Sequence, residues 1–163
     1  MEPAIDHVAD LLKLLAERGL TVAVAESLTG GLVVAELTRV AGASAVVRGG
    51  VIAYATGLKQ QLLGVDEALL AEVGPVHADV AAQMAAGVAS RLGASIGLST
   101  TGVAGPDAQD GQDVGTVYVG LAVAGHLTTH RLALSGSREQ IRRATVDASL
   151  ELLAEAAQML TQP

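Results

Sequence analysis

Ser27 stands between a β-prone run, residues 21–25, and the pair Gly30-Gly31. A serine at such a strand-to-helix turn is presented at the carboxyl end of a sheet, where open α/β sheets bind ligands. Its hydroxyl becomes a nucleophile when a neighbouring base takes its proton. The other reading is a helix cap, the commoner use of Ser before a Gly-Gly helix start. The two glycines let the backbone approach a ligand, and the helix N-terminus behind them offers N–H donors to a phosphate or an acyl-transfer oxyanion. A candidate base lies further on. The chain has eight arginines and two lysines, and one of those lysines is Lys59. Arg stays protonated, whereas a buried Lys loses its charge and can accept a proton, and a Ser–Lys pair is a known nucleophile–base arrangement. A surface cation on a short helix is the alternative for Lys59.

Three further groups carry possible chemistry. Residues 101–115 open with Thr101-Gly102-Val103-Ala104-Gly105-Pro106 and form a Gly/Asp-rich stretch. A loop of that length in a compact domain is either functional or a flexible surface turn. Thr101 opens it at the end of a strand, so its hydroxyl is placed to face the same crevice as Ser27. Arg138 and Arg142 are one helical turn apart near a helix start, where an exposed cation opposes the helix dipole at a cost of roughly 0.3–1 kcal/mol. A bound phosphate offsets that cost; so does pairing with acids such as Glu139. His126 and His130 have the spacing of a helical metal pair but fall in an expected hairpin, where four residues span ~13 Å. No metal site is expected.

Composition narrows the class. The chain has 163 residues, half of them apolar, which suits one domain over residues 1–163 with a sizeable core. There is no Phe or Trp and only Tyr54 and Tyr118 are aromatic, so Ala, Val and Leu must fill that core. Such a core favours helices packed closely on a sheet. The net charge is −7 and no Lys/Arg stripe exists, which argues against a nucleic-acid partner. The absence of cysteine excludes disulfides, thiolate metal sites and a thiol nucleophile. No signal-peptide pattern and no run near ~18 apolar residues is present, so a cytoplasmic protein without a membrane partner is expected.

The elements that must position these residues follow from periodicity and punctuation. Ile5, Val8, Leu12 and Leu15 predict a helix over residues 3–18, ended by Gly19. A strand over 21–25, a helix over 31–40 and a strand over 45–54 follow, with Gly49-Gly50 marking a bulge or a close backbone approach. Short helices are expected at 59–63 and 67–72, then a break at Gly74-Pro75. Val80, Met84, Val88 and Leu92 recur at four-residue spacing in a helix starting near 78. A strand over 95–100 empties into the 101–115 loop. Strands over 117–124 and 127–134 form a hairpin turning at Gly125-His126. Ser137-Arg138-Glu139-Gln140 fits a capping box opening a C-terminal helix. Early strand–helix alternation and a late hairpin predict an α/β fold, a three-layer α/β/α sandwich with a mixed, mostly parallel sheet.

Taken together, the motifs resemble the CinA C-terminal domain family, whose stand-alone members are nicotinamide-nucleotide amidases. Ala25-Glu26-Ser27-Leu28-Thr29-Gly30-Gly31 matches that family's AES-x-TGG signature. Tyr54-Ala55-Thr56-Gly57-Leu58-Lys59 resembles its Tyr-[Ser/Thr]-Asn-x-x-Lys element, with Thr56 in place of the usual Asn. Residues 101–106 resemble its [Ser/Thr]-Gly-[Ile/Val]-Ala-Gly-Pro loop, and Val114-Gly115-Thr116-Val117 its VGTV. Gly136-Ser137-Arg138 with Arg142 and Arg143 resembles its Gly-x-Arg…Arg segment. The resemblance implies an α/β/α sandwich that deamidates nicotinamide mononucleotide without a cofactor. It implies Ser27 as nucleophile with Lys59, Tyr54 and Thr101 assisting, and a homodimer. On this reading, backbone N–H groups near Thr29, Gly30 and Gly31 face the oxyanion. Gly102 and Gly105 line the substrate, and Arg138 or Arg142 holds the 5′-phosphate. The competing class is a non-catalytic nucleotide-binding or protein-interaction module, since longer family members carry this domain behind a larger one.

Overall fold

The computed structural model describes residues 6–160. The chain runs α1 (His7–Glu17), β1 (Val22–Glu26), α2 (Leu32–Thr38), β2 (Val47–Ile52), α3 (Thr56–Leu63), α4 (Glu67–Val73) and α5 (Ala78–Leu92). It continues through β3 (Ile96–Gly102), β4 (Thr116–Val123), β5 (His126–Ala133) and α6 (Arg138–Met159). The sheet order is β2-β1-β3-β4-β5. β1 is parallel to both β2 and β3, while β4 runs antiparallel to β3 and β5. Four strands therefore point one way and β4 against them, which is the mixed, mostly parallel sheet expected.

Strand alternation sorts β1 between two cores. Val22 and Val24 face one core with α1, α2 and α6, through residues such as Leu15, Leu37 and Ile141. Ala23 and Ala25 face the other, with Leu63, Val80, Met84 and Val88 of α3 and α5. These are the three layers. Small residues let α5 lie very close to the sheet: a Cβ on Gly97 would stand 1.9 Å from the Ala85 carbonyl oxygen, and one on Gly120 2.3 Å from that of Ala81. The Ser99 hydroxyl donates to the same Ala81 carbonyl at 2.6 Å. A core without Phe or Trp is thus filled by bringing the layers together.

The expected elements differ from the observed ones at their edges. The Asp6 side chain caps α1 by accepting from Val8 N at 3.1 Å, and Pro3 and Ile5 lie outside the described residues. The strand expected from residue 45 begins later, because Ala43–Ala45 closes a 3-10 turn first. Arg48 is skipped in the β1–β2 register, where Val22 faces Val47 and Ala23 faces Gly49. The hairpin turns at Ala124-Gly125, not Gly125-His126: both have positive φ, 50° and 80°, and His126 already pairs with Val123. A two-residue hairpin loop demands that geometry. The 101–115 stretch is less irregular than expected, since β3 extends to Gly102 and Gln109 bridges Gln112. The capping box at Ser137 and Gln140 is present. Among the described residues, no helix is long and apolar enough to cross a membrane.

β1 connects through α2 to β2 on one side, and the connection from β2 through α3 to α5 crosses back past β1 to β3 on the other. The order reverses at β1. The crevice outside the carboxyl ends of β1 and β3 is therefore the place where such a sheet opens to a ligand.

Candidate active site

Ser27 is the first residue past β1, and its backbone N–H donates to the Thr100 carbonyl of β3 at 3.1 Å. The turn that follows needs glycine: Gly31, the N-cap of α2, has φ 105° and supplies no side-chain cap. Lys59 enters from the opposite layer, on the same inward face of α3 as Leu63. Its Nζ stands 3.0 Å from Ser27 Oγ, 2.7 Å from the Ala53 carbonyl oxygen and 3.4 Å from that of Tyr54. Only 1% of Lys59 is exposed, and burial pulls its amine down from 10.5 to about 8. Loss of solvation penalises the charged form, and no acidic side chain pairs with it among the described residues. A neutral amine has two N–H donors and one lone pair. Two carbonyls for the donors leave the lone pair for the Ser27 hydroxyl.

This pair opens on a cavity of about 120 Å³. Thr101, Gly102, Gly105, Tyr54 and Arg138 are in its wall with Ser27 and Lys59. Thr101 is buried, and its hydroxyl donates to the Pro75 carbonyl at 2.7 Å, so its proton is given to that carbonyl. Tyr54 is 60% exposed, and its phenol oxygen accepts from Arg138 Nη2 at 3.2 Å. Arg138 Nη1 donates to the Gly105 carbonyl at 2.7 Å. These contacts tie the start of α6 to the loop after β3 and to the segment before α3.

Other expected binding residues stand behind the wall. Thr29, Gly30 and Gly31 do not line the cavity. The Thr29 hydroxyl lies 2.8 Å from that of Thr100, and the Gly30 N–H is already given to the Ser27 carbonyl at 3.1 Å. Arg142 is also outside the wall: its Nε donates to the Leu28 carbonyl at 2.9 Å and its Nη2 to that of Thr29 at 3.3 Å. The N-terminus of α2 offers no free anion site either. Glu26, 1% exposed, accepts from Val33 N through Oε1 at 2.9 Å and from Val34 N through Oε2 at 3.1 Å. The protein's own carboxylate fills the position expected for a ligand anion. Sequence reading assigned Glu26 and Thr100 no part in the site. The available signal was an acid amid apolar residues just ahead of a helix start, where negative charge is favoured. His126 and His130 both lie on β5, and among the described residues no three His, Cys, Asp or Glu side chains gather as a metal would require.

The profile of the CinA C-terminal domain matches residues 5–157. The chain belongs to the CinA C-terminal domain family. A CinA-like protein of Frankia casuarinae is 52% identical over 143 residues, covering 88% of this chain and 33% of that protein. Another CinA-like protein, from Dictyoglomus turgidum, is 43% identical over 153 residues, or 93% and 37% of the two chains. This chain thus spans about a third of the length of these curated relatives. The crystal structure of competence/damage inducible protein CihA from Agrobacterium tumefaciens superposes with a TM-score of 0.86 at 34% identity, covering 98% and 100% of the two chains. The competence damage-inducible protein A from Klebsiella pneumoniae gives a TM-score of 0.92 at 29% identity, with 95% and 97% covered. In CinA terms, the signature at residues 25–31 is the β1–α2 turn and the Tyr–Lys element leads into and forms the start of α3. The Gly-Pro loop follows β3, and the arginine segment opens α6. The fold brings all four to one crevice.

Proposed function

We propose that this CinA domain is a serine amidohydrolase that converts nicotinamide mononucleotide and water to nicotinic acid mononucleotide and ammonia. The supporting observation is the 3.0 Å contact between Ser27 Oγ and a buried Lys59 amine whose other neighbours are carbonyl oxygens. Ser27 Oγ attacks the carboxamide carbon while Lys59 takes the hydroxyl proton. The C–N bond then breaks, and Lys59 returns the proton to the leaving nitrogen, releasing ammonia. Water attacks the acyl ester, gives one proton to Lys59, and Ser27 leaves with that proton. The oxyanion is met by the backbone N–H of Leu28, the wall residue next to the nucleophile.

Size and charge support the substrate class. A cavity of about 120 Å³ is smaller than the ~300–1,000 Å³ pockets that enclose whole ligands, so it takes the carboxamide-bearing ring and leaves the sugar phosphate at the mouth. Arg138 is the arginine in that wall and is the phosphate partner, with Tyr54 beside it. Thr101, whose proton is held by Pro75, presents its oxygen lone pairs to the carboxamide N–H groups.

The test is ammonia release from nicotinamide mononucleotide in the presence of EDTA, with wild type beside Ser27→Ala. Turnover that survives EDTA and disappears in the variant is the expected result. Folded wild type that binds the nucleotide without releasing ammonia would replace the enzyme by a binding module.

A further inference from the structure

The turn carrying Ser27 is anchored at both ends, and the anchor at the helix end comes from an unusual place. α2 starts at Leu32 behind Gly31, whose φ of 105° excludes most side chains, so the ordinary N-cap position cannot supply an oxygen. Glu26 supplies it instead from the preceding strand. It is paired on both sides within the sheet, opposite Ile52 of β2 and Thr100 of β3, and is among the most enclosed side chains of the molecule. Burying a carboxylate is costly, and no basic side chain pairs with Glu26 among the described residues. What it obtains is two backbone N–H donors, Val33 N and Val34 N, at 2.9 and 3.1 Å. A rigid strand end is thereby joined to a rigid helix start across residues 27–31.

We propose that Glu26 is a positioning residue: its carboxylate, bonded through both oxygens to the first amides of α2, sets the turn so that Ser27 Oγ meets the Lys59 amine. The inference deepens the proposed function and rests on Ser27 being the nucleophile. Glu26 bonds on the α2 side of the sheet, whereas Lys59 reaches Ser27 from α3, in the other layer. Glu26 is not in the cavity wall, so it acts on the reaction only through the turn. Its occupation of the helix N-terminus also sends a substrate phosphate elsewhere, to Arg138.

The test reads nucleophile presentation without using the nucleotide. A small fluorophosphonate labels Ser27 by forming an O–P bond, expelling fluoride and passing the hydroxyl proton to Lys59. Labelling rates are measured for wild type, Glu26→Gln, Glu26→Asp and a Ser27→Ala blank, with circular dichroism to check the fold. Gln keeps the length but loses one acceptor, and Asp keeps the charge but falls one methylene short. Each should slow labelling at least tenfold while the rate still rises with pH about a midpoint near 8. If the Gln variant does not fold, the Asp variant carries the comparison. Wild-type labelling rates in a folded variant overturn the proposal, as does slowing accompanied by a displaced midpoint, which would mean that Lys59 itself had moved. Unlabelled wild type overturns the nucleophile assignment and this inference together. A labelled wild type that fails to deamidate the nucleotide overturns only the substrate, and the variant rates still decide the role of Glu26.

Discussion

At the residue scale, Lys59 is where sequence and environment part company. As a letter in the chain it is a cation; between Ser27 Oγ and two carbonyl oxygens it is an amine with a value of about 8. With that value, about a tenth of it is neutral at pH 7. If the neutral form is the base, kcat/KM rises roughly tenfold per pH unit below 8 and levels off above it. A pH–rate profile with no rise through this range would remove Lys59 from the mechanism. The same shift has a stability consequence. The folded amine is lowered from 10.5 to about 8, so the unfolded chain binds more protons between these values and stability rises with pH across that window. The contribution is about 3 kcal/mol. Urea titrations of wild type and Lys59→Met at pH 7 and pH 11 should therefore differ in their pH dependence by that amount. Lys59→Arg keeps a charge that cannot be lost and should cost roughly 10²–10⁴-fold in kcat. Ser27→Ala should cost ~10⁴-fold or more while the nucleotide still binds, as calorimetry would register.

At the element scale, the two arginines that open α6 do different work although they sit one turn apart. Arg138 reaches into the cavity wall, and Arg142 holds the carbonyls of Leu28 and Thr29. The proposed phosphate partner is Arg138 because the donors of Arg142 that face the turn are already given to backbone oxygens. Arg138→Ala should raise KM for the nucleotide roughly tenfold or more, as loss of a charge-assisted contact does, and leave the unphosphorylated riboside little changed. Arg142→Ala should lower kcat on both to a similar degree, because it loosens the nucleophile turn. Parallel kinetics on the two substrates check both statements, and a phosphate-selective defect in Arg142→Ala would reverse the assignment. Helical spacing put the arginines on neighbouring turns, but which one faces the cavity depends on how α6 lies against the β1–α2 turn.

At the scale of the whole molecule, the closeness of α5 to the sheet is the feature most exposed to single substitutions. Gly120→Val would drive a branched side chain into the Ala81 carbonyl and the Ser99 hydroxyl, 2.3 and 2.5 Å from where its Cβ must stand. Overpacking of this kind costs about 1–3 kcal/mol or more, which for a chain this long lowers Tm by roughly 3–10 °C by calorimetry. An unchanged Tm would show that the layers can separate at little cost. Much of this architecture was legible beforehand. The β1–α2 turn, the Ser137 cap, the four-residue stripe of α5 and the layered class all follow from local propensity, periodicity and turn chemistry, which act over a few residues. Element edges were less legible, as at Ala124, where the twist of the paired strands, not the local residue preference, decides where the hairpin turns. By itself the sequence determined which residues can do chemistry: a serine at a glycine turn and a lysine in an arginine-leaning chain. Only the tertiary structure decided their states. Burial lowers the Lys59 amine, the approach of β1 to α2 puts Glu26 on the helix amides, and the packing of α6 separates Arg138 from Arg142. Each of these depends on distances between segments far apart in the chain, and local residue preferences do not encode such distances.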